Sequence, residues 1–145
     1  MKLEEIQKEW AGDCKPNKDE LDNESLKTPE LHNKYWKIYS RERMLKKKLE
    51  LEHKVLVKNK KEYYCGELSQ EELASFGWEQ FDLIVLKSDL SLYMDSDNDI
   101  IESKMKIHMQ AEKVDYLESI LQSLNGRSFI IKNAIDFLKF TNGQF

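Results

Sequence analysis

The chain has 145 residues with a formal net charge of −4; 34% of the residues are charged and 40% are hydrophobic. This length fits one domain, and a charged fraction above the roughly 25% that is typical indicates long helices with solvated faces. With only two prolines and five glycines, the chain lacks the frequent turns of a β-sandwich or β-barrel. We therefore expect a predominantly α-helical fold.

What the sequence lacks excludes several classes of protein. Cys14 and Cys65 are isolated, which predicts two reduced thiols of a cytoplasmic protein and neither a disulfide nor a metal site. No apolar run is long enough for a membrane span or a signal peptide. Glycine-rich phosphate loops, nucleophile elbows and zinc-protease motifs are absent, and the three histidines lie far apart. We predict no enzymatic activity and no cofactor.

The first helix is predicted from the spacing of Leu3, Ile6 and Trp10, which places three apolar side chains on one helical face. It should run from Lys2 to about Ala11, with Gly12 as its stop. The following residues, from Asp13 to Lys27, are predicted to form a loose connector.

A second, much longer helix is predicted to begin where Thr28 can cap and Pro29 suits the first turn. Neither Pro nor Gly follows until Gly66, so this helix should reach about Tyr64 and be roughly 50 Å long. Its apolar stripe, at coiled-coil-like spacing, consists of Leu31, Tyr35, Ile38, Leu45, Leu49, Leu56 and Tyr63.

The charge of this helix differs from that of the whole chain. Between Lys34 and Lys61 the net charge is +8, whereas the remaining residues sum to −12. Such clustering costs stability by repulsion, which a polyanion would relieve, and the tyrosines at 63 and 64 could stack on bases. The alternative is an ordinary solvated face. The predicted ridge, spaced by four, seven, four and three residues, consists of Arg43, Lys47, Lys54, Lys58 and Lys61.

After this helix, Ser69 and Glu72 form a capping-box pattern that predicts a short helix toward Phe76. The segment 81–94 has apolar residues at both strand and helix spacing, so short strands and a helix both stay open.

Alternating aspartates at positions 95, 97 and 99 resemble the start of a calcium loop. The pattern fails because Ile100 stands at the glycine position and Lys106 at the glutamate position. We interpret the aspartates as caps for the start of the next helix.

The C-terminal region carries an apolar seam that alternates between threes and fours, which predicts packing of helix on helix. Asn125 and Gly126 interrupt it, so one long helix and a helical hairpin both remain open. We predict that the seam assembles subunits, with an intramolecular helix pair as the alternative. Its proposed assembly residues are Val114, Leu117, Leu121, Leu124, Ile131, Ile135 and Leu138.

Three stretches of the chain resemble the UvsY family of recombination mediators of T-even-like bacteriophages: the opening MKLEEIQKEW, the segment KVLVKNKKEYYCG from Lys54 to Gly66, and RSFIIKNAIDFLKFTNG from Arg127 to Gly143. The resemblance extends over essentially the whole length. It implies a non-catalytic protein in the cytoplasm of the infected bacterium that binds single-stranded DNA. Such a protein helps a RecA-like phage recombinase displace the single-strand-binding protein.

The resemblance also implies roles for particular positions. The family's DNA-binding basic pair corresponds to Lys58 and Lys60, although the second can be Arg in the family, and Lys lacks the bidentate fork of Arg. Family members form rings of about six or seven subunits, to which the C-terminal part contributes.

Together these features predict one domain that forms a ring-like homo-oligomer, a hexamer or heptamer. It would consist of an N-terminal helix and connector (1–28), a basic DNA-binding helix (29–66), a short helix and irregular segment (67–95) and a C-terminal assembly region (96–143). Rival hypotheses are a helical scaffold that binds only proteins and an RNA-binding regulator. The predicted DNA-binding residues are Arg43, Lys47, Lys54, Lys58, Lys60, Lys61, Tyr63 and Tyr64.

Overall fold

The computed structural model describes residues 1–144, which form six α-helices and no strand. The predominantly helical fold is therefore confirmed, and within these residues the open question at 81–94 is answered without a β segment. Residues 81–89 are irregular, and a short helix follows them. The helices are α1 (Leu3–Asp13), α2 (Leu21–Tyr64), α3 (Gln70–Phe76), α4 (Leu90–Asp95), α5 (Asn98–Asn125) and α6 (Arg127–Thr141).

The start of α2 differs from the prediction. The expected connector is helical from Leu21 onward, and Pro29 lies inside the helix instead of opening it. The physical reason is a tertiary contact that the sequence does not display. The Arg127 guanidinium donates to the Glu24 carboxylate at 2.7 Å, to the Glu24 carbonyl and to the Thr28 hydroxyl at 2.6 Å. These bonds hold the turns before the proline in helical form.

Two other helix boundaries agree with the sequence. α2 ends at Tyr64, just before Gly66 with its positive φ of 72°. α3 begins after Ser69, whose hydroxyl accepts a hydrogen bond from the Glu72 N–H at 3.2 Å. The predicted end of α2 and the predicted cap of α3 are both confirmed.

The chain divides into two compact units, one made of Met1–Met44 and the chain from Ala111 onward, the other of Leu45–Gln110. The first unit contains a hydrophobic core in which Tyr35 and Leu117 are fully buried. Trp10 meets the Tyr35 ring edge-on at 5.4 Å between centroids. The core consists of Ile6, Tyr35, Tyr39, Val114, Leu117, Ile120, Leu121 and Leu124.

This core contains much of the C-terminal seam. Val114, Leu117, Leu121 and Leu124 are buried against residues of α1 and α2 of the same chain, and Ile131 is 2% exposed. Intramolecular packing therefore occupies these five side chains. Ile135 is half-buried and Leu138 is 44% exposed. A role for the seam in assembly stays a prediction, and only its last two positions retain exposed surface.

The region around Asn125 and Gly126 is a break between two helices, since α5 ends at Asn125 and α6 begins at Arg127. One continuous C-terminal helix is thereby excluded. None of the helices in residues 1–144 is long and apolar enough to cross a lipid bilayer.

The second unit consists of the end of α2, the short helices α3 and α4, and the start of α5. Leu73 and Ile100 are its buried aliphatic side chains, and it contains a cluster of aromatic rings near the end of α2. Asp97 caps α5, because its carboxylate accepts the Ile100 N–H at 3.0 Å. The interpretation of this aspartate as a helix cap is confirmed.

Candidate nucleic-acid interface

Four lysines of α2 in the second unit form an exposed basic ridge: Lys47, Lys54, Lys58 and Lys61. Steps of seven, four and three residues return to the same side of an α-helix, so the four lysine side chains project from one face. The structure brings these four predicted residues together.

Most of the ridge lysines lack an intramolecular partner. Among the described residues, Lys47, Lys54 and Lys61 form no ion pair, and Lys58 reaches Glu62 only at 3.8 Å while staying 74% exposed. Lys46 and Lys48, on the flanks of the helix, have carboxylates one turn later at 3.9 Å, a distance similar to that between Lys58 and Glu62. Hydrated, unpaired ammonium groups in a row are the arrangement that phosphates of a polyanion can neutralise.

A groove adjoins the ridge in the same unit. It has a volume of about 490 Å³, and its apolar lining residues are Leu51, which is 61% exposed, and Ile107. Lys47 and Lys54 belong to the same lining. We call this feature the basic groove; it is lined by Lys47, Glu50, Leu51, His53, Lys54 and Ile107.

His53 in this groove is oriented by a hydrogen-bond contact between its Nδ1 and the Ser103 hydroxyl at 2.9 Å. Burial lowers the pKa of His53, and the Lys104 charge lowers it further. The imidazole is therefore neutral at pH 7, and the positive charge of the groove comes from its lysines.

Arg43 belongs to the first unit, where its guanidinium lies over the Tyr39 ring at 5.2 Å from the centroid. Its side chain is exposed. Arg43 therefore belongs to a different unit from the ridge lysines.

Lys60 is placed quite differently from the ridge lysines. It is 5% exposed, and its ammonium lies 3.1 Å from Asp97 and 2.8 Å from Asp99. The Trp78 ring covers it at 4.1 Å from the centroid. An ammonium group that contacts two carboxylates and an aromatic ring is not available to bind a phosphate. Lys60 therefore connects the end of α2 to the start of α5.

Asp97 is the centre of this arrangement. Burial raises its pKa, but hydrogen bonds from the Tyr64 hydroxyl at 2.6 Å and from the Ile100 N–H, together with Lys60, outweigh burial and hold the pKa below its ordinary value. Burial, followed by the bond to Asp97, raises the pKa of Tyr64. Tyr64 is thus a neutral hydrogen-bond donor inside the unit.

The two tyrosines predicted as stacking platforms are engaged within the chain. The Tyr63 ring packs on Trp78 at 5.3 Å, and the Tyr64 ring meets Phe81 edge-on at 5.1 Å. The Tyr63 hydroxyl donates to the Glu79 carbonyl. Both residues are half-buried, so their ring faces are shared with neighbouring aromatic side chains. A stacking role on bases stays a prediction.

Sequence reasoning missed Asp97, Asp99 and Trp78 as partners of Lys60. One signal was available, because residues two apart on an α-helix point roughly 200° apart, so Lys58 and Lys60 cannot share a face. The identity of the buried partners required the tertiary structure.

Comparison with known proteins shows the family of this chain. A family model for the recombination, repair and ssDNA binding protein UvsY matches residues 9–144. The chain belongs to the UvsY family. A relative, the recombination protein uvsY of Enterobacteria phage T4, is 23% identical over 144 residues, which cover 99% of this chain and 100% of the relative.

The fold of this UvsY-family chain is similar to crystal structures of the bacteriophage T4 recombination mediator protein UvsY. For lattice type II, the TM-score is 0.83 at 22% identity, with 98% of each chain covered. For lattice type IV, the TM-score is 0.84 at 21% identity, with 97% of this chain and 99% of the other covered. The family is one of recombination and single-stranded DNA-binding proteins, and no known enzyme class corresponds to it.

Proposed function

We propose that this UvsY-family protein binds single-stranded DNA through the basic ridge of α2. Through that binding it promotes loading of a RecA-like recombinase in place of the single-strand-binding protein, in the cytoplasm of an infected bacterium. The observation that carries the proposal is the row of exposed lysines, three of which have no carboxylate partner in residues 1–144.

The mechanism of binding follows from electrostatics. Each lysine that neutralises a phosphate releases condensed counterions, so affinity falls as salt rises, with a log–log slope of about −0.7 per contact on a single strand. Four ridge lysines give a slope of about −2.8 for one chain. Binding of this kind ignores base identity, which suits a protein that acts on any sequence of DNA.

Lys58 and Lys60 take separate roles in this proposal. Lys58 is 74% exposed and contacts DNA directly, whereas Lys60 is 5% exposed and keeps α2 and α5 together. A phosphate contact by Lys60 would require the loss of two ion pairs and of the Trp78 contact. The family's basic pair therefore divides into one ligand-binding residue and one structural residue.

Assembly into a homo-oligomer, a hexamer or heptamer, multiplies the ridge. Several weak sites on one ring engage one strand with a high effective concentration. α6 offers apolar surface for such assembly, whereas the buried seam residues already serve the core of their own chain. The large exposed apolar residues of α6 are Phe129, Ile130, Phe137, Leu138 and Phe140.

The test is fluorescence anisotropy of labelled oligo-dT over a salt series with wild type and a Lys54→Gln, Lys58→Gln double variant. A matched control is the Lys46→Gln, Lys48→Gln variant, which removes the same charge from the flanks of the same helix, outside the ridge. Light scattering should first show that all three proteins have equal mass.

We expect the ridge variant to bind more weakly, with a slope shallower by about 1.4, and the control to lose much less. Equal losses in both variants would mean that only net charge matters. Absence of binding by the wild type would favour a scaffold that contacts only proteins.

A further inference from the structure

The segment between Asp82 and Asp89 exposes an unusual amount of apolar surface. Ile84 is 95% exposed, and Leu83 and Leu86 are 62% and 63% exposed. The segment has neither helix nor strand, and within residues 1–144 the backbone N–H groups of residues 82–88 make no hydrogen bond. Large aliphatic side chains in such a position indicate a contact that one chain does not complete.

The charge around this segment restricts what can cover it. Between Glu67 and Asp95 the chain has seven acidic residues and a single basic one, Lys87, and within residues 1–144 none of the seven forms an ion pair. Asp82 and Asp89 flank the apolar side chains directly. Phosphates of nucleic acids and of anionic lipids are repelled by such a surface, so the complementary occupant is a cationic apolar surface of a protein.

A surface of that chemistry exists on the chain itself. The lining of the basic groove combines the apolar Leu51 and Ile107 with the cationic Lys47 and Lys54, and its volume of about 490 Å³ exceeds that of a single isoleucine side chain. Val55, which is 58% exposed, extends the apolar strip along α2. Groove and segment are therefore complementary in both polarity and charge.

The contact cannot form within one copy of this unit. Phe81 anchors the start of the segment against the Tyr63 and Tyr64 rings at the end of α2. The groove surrounds Leu51, twelve residues earlier on the same helix, which is roughly 18 Å away along the axis. Ile84 is three residues past the anchored Phe81, at most about 11 Å of extended chain, so it reaches this groove only on another molecule.

We propose that the segment Asp82–Asp89 of one copy docks in the basic groove of a second copy, with Ile84 against Leu51 and Ile107 and its flanking aspartates near Lys47 and Lys54. Because segment and groove are different surfaces, the contact is head-to-tail. Each copy then uses both surfaces, so the contact propagates from copy to copy and closes where the rotation permits.

One consequence rests on the proposed function. Lys47 and Lys54 belong both to the lining of the basic groove and to the DNA-binding ridge, so DNA and the docked segment compete for the same ammonium groups. Strand binding would then loosen this contact.

The test is disulfide trapping in a Cys14→Ser, Cys65→Ser background, which removes the two exposed native thiols. One protein carries Ile84→Cys and a second, distinguished by a size tag, carries Leu51→Cys. They are mixed, oxidised mildly and resolved without reductant. The matched control replaces Leu51→Cys by Leu26→Cys, whose side chain is similarly exposed at 75% but lies outside the groove. Circular dichroism verifies that every variant is folded.

We expect the mixed pair to give cross-linked dimer in at least fivefold higher yield than the control. The yield should fall when Asp82→Lys and Asp89→Lys are added or when salt is raised. A yield no higher than that of the control, or a preference for Ile84→Cys with itself, would overturn the proposal.

Addition of oligo-dT separates this inference from the proposed function. If DNA reduces the yield of cross-linked dimer, both the docking contact and the proposed function are supported. If cross-linking occurs and DNA leaves its yield unchanged, the docking contact is supported and DNA binding at Lys47 and Lys54 is contradicted. If DNA binding depends on the ridge lysines but no cross-linking occurs, the proposed function is supported and the docking contact is overturned.

Discussion

The Lys60 ammonium lies 2.8 Å from a carboxylate oxygen of Asp99, joining the last turns of α2 to the first turn of α5. The same ammonium lies 3.1 Å from a carboxylate oxygen of Asp97, and the Trp78 ring shields the ammonium from water. The lysine that the family resemblance assigns to DNA therefore acts in the interior of the unit that presents the ridge.

Replacement of Lys60 should act on stability. Lys60→Met removes the buried charge and leaves Asp97 without a counter-ion, for which we expect a loss of about 2–3 kcal/mol in the free energy of unfolding. This is less than the 3–5 kcal/mol of a fully buried pair, because Asp99 is half-exposed. The matched change Lys58→Met, at an exposed position, should cost under about 0.5 kcal/mol. Urea unfolding followed by circular dichroism measures both, and equal losses would contradict the structural role.

Substitutions at Lys58 and at Lys60 should also have different effects on DNA binding. Lys58→Gln should make the log–log salt slope shallower by about 0.7, the contribution of one phosphate contact on a single strand. Lys60→Arg keeps the charge and should leave the slope unchanged wherever the protein is folded. Anisotropy of labelled oligo-dT gives both slopes. A slope that changes with Lys60 but not with Lys58 would reverse the assignment of roles.

Acid should destabilise the second unit through Asp97. Its folded pKa lies below the ordinary value of 3.8, so the carboxylate contributes stability above that value, and this is lost as the pH falls through the lower folded pKa. Asp97→Asn keeps an oxygen to cap Ile100 but cannot carry the charge. We expect the wild type to be more stable than this variant above about pH 5 and the difference to vanish in stronger acid. Unfolding midpoints measured from pH 2 to 7 test this, and a constant difference would speak against the ionised pair.

The first turns of α2 should depend on Arg127. Arg127→Ala removes the buried partner of Glu24 and leaves the pair with the half-exposed Lys27. We expect this change to cost about 2–3 kcal/mol, less than the loss of a fully buried pair, and to expose residues 21–28 to hydrogen exchange. Lys27→Ala removes the other cation near Glu24, at a half-exposed and solvent-screened position, and should cost much less stability. Mass-spectrometric hydrogen exchange locates the effect. Uniform exchange changes over the whole chain would mean that Arg127 supports the unit generally rather than this helix start.

By itself, the sequence determined the features that depend on local chemistry and periodicity. The run without Pro or Gly predicts where α2 ends, Ser69 predicts the cap of α3, and the spacing of Lys47, Lys54, Lys58 and Lys61 predicts a ridge on one face, because a helix repeats every 3.6 residues. The three stretches of family resemblance were likewise sufficient to assign the UvsY family.

Only the tertiary structure decided which polar and apolar groups meet across long sequence separations. It buried Lys60 beneath Trp78, extended α2 back past Pro29 through Arg127, and used the seam from Val114 to Leu124 inside the chain. Local patterns describe which face of a helix is apolar or charged, but they do not name the partner on the other side. That partner is decided by which arrangement leaves the fewest buried charges unpaired and the least apolar surface in water.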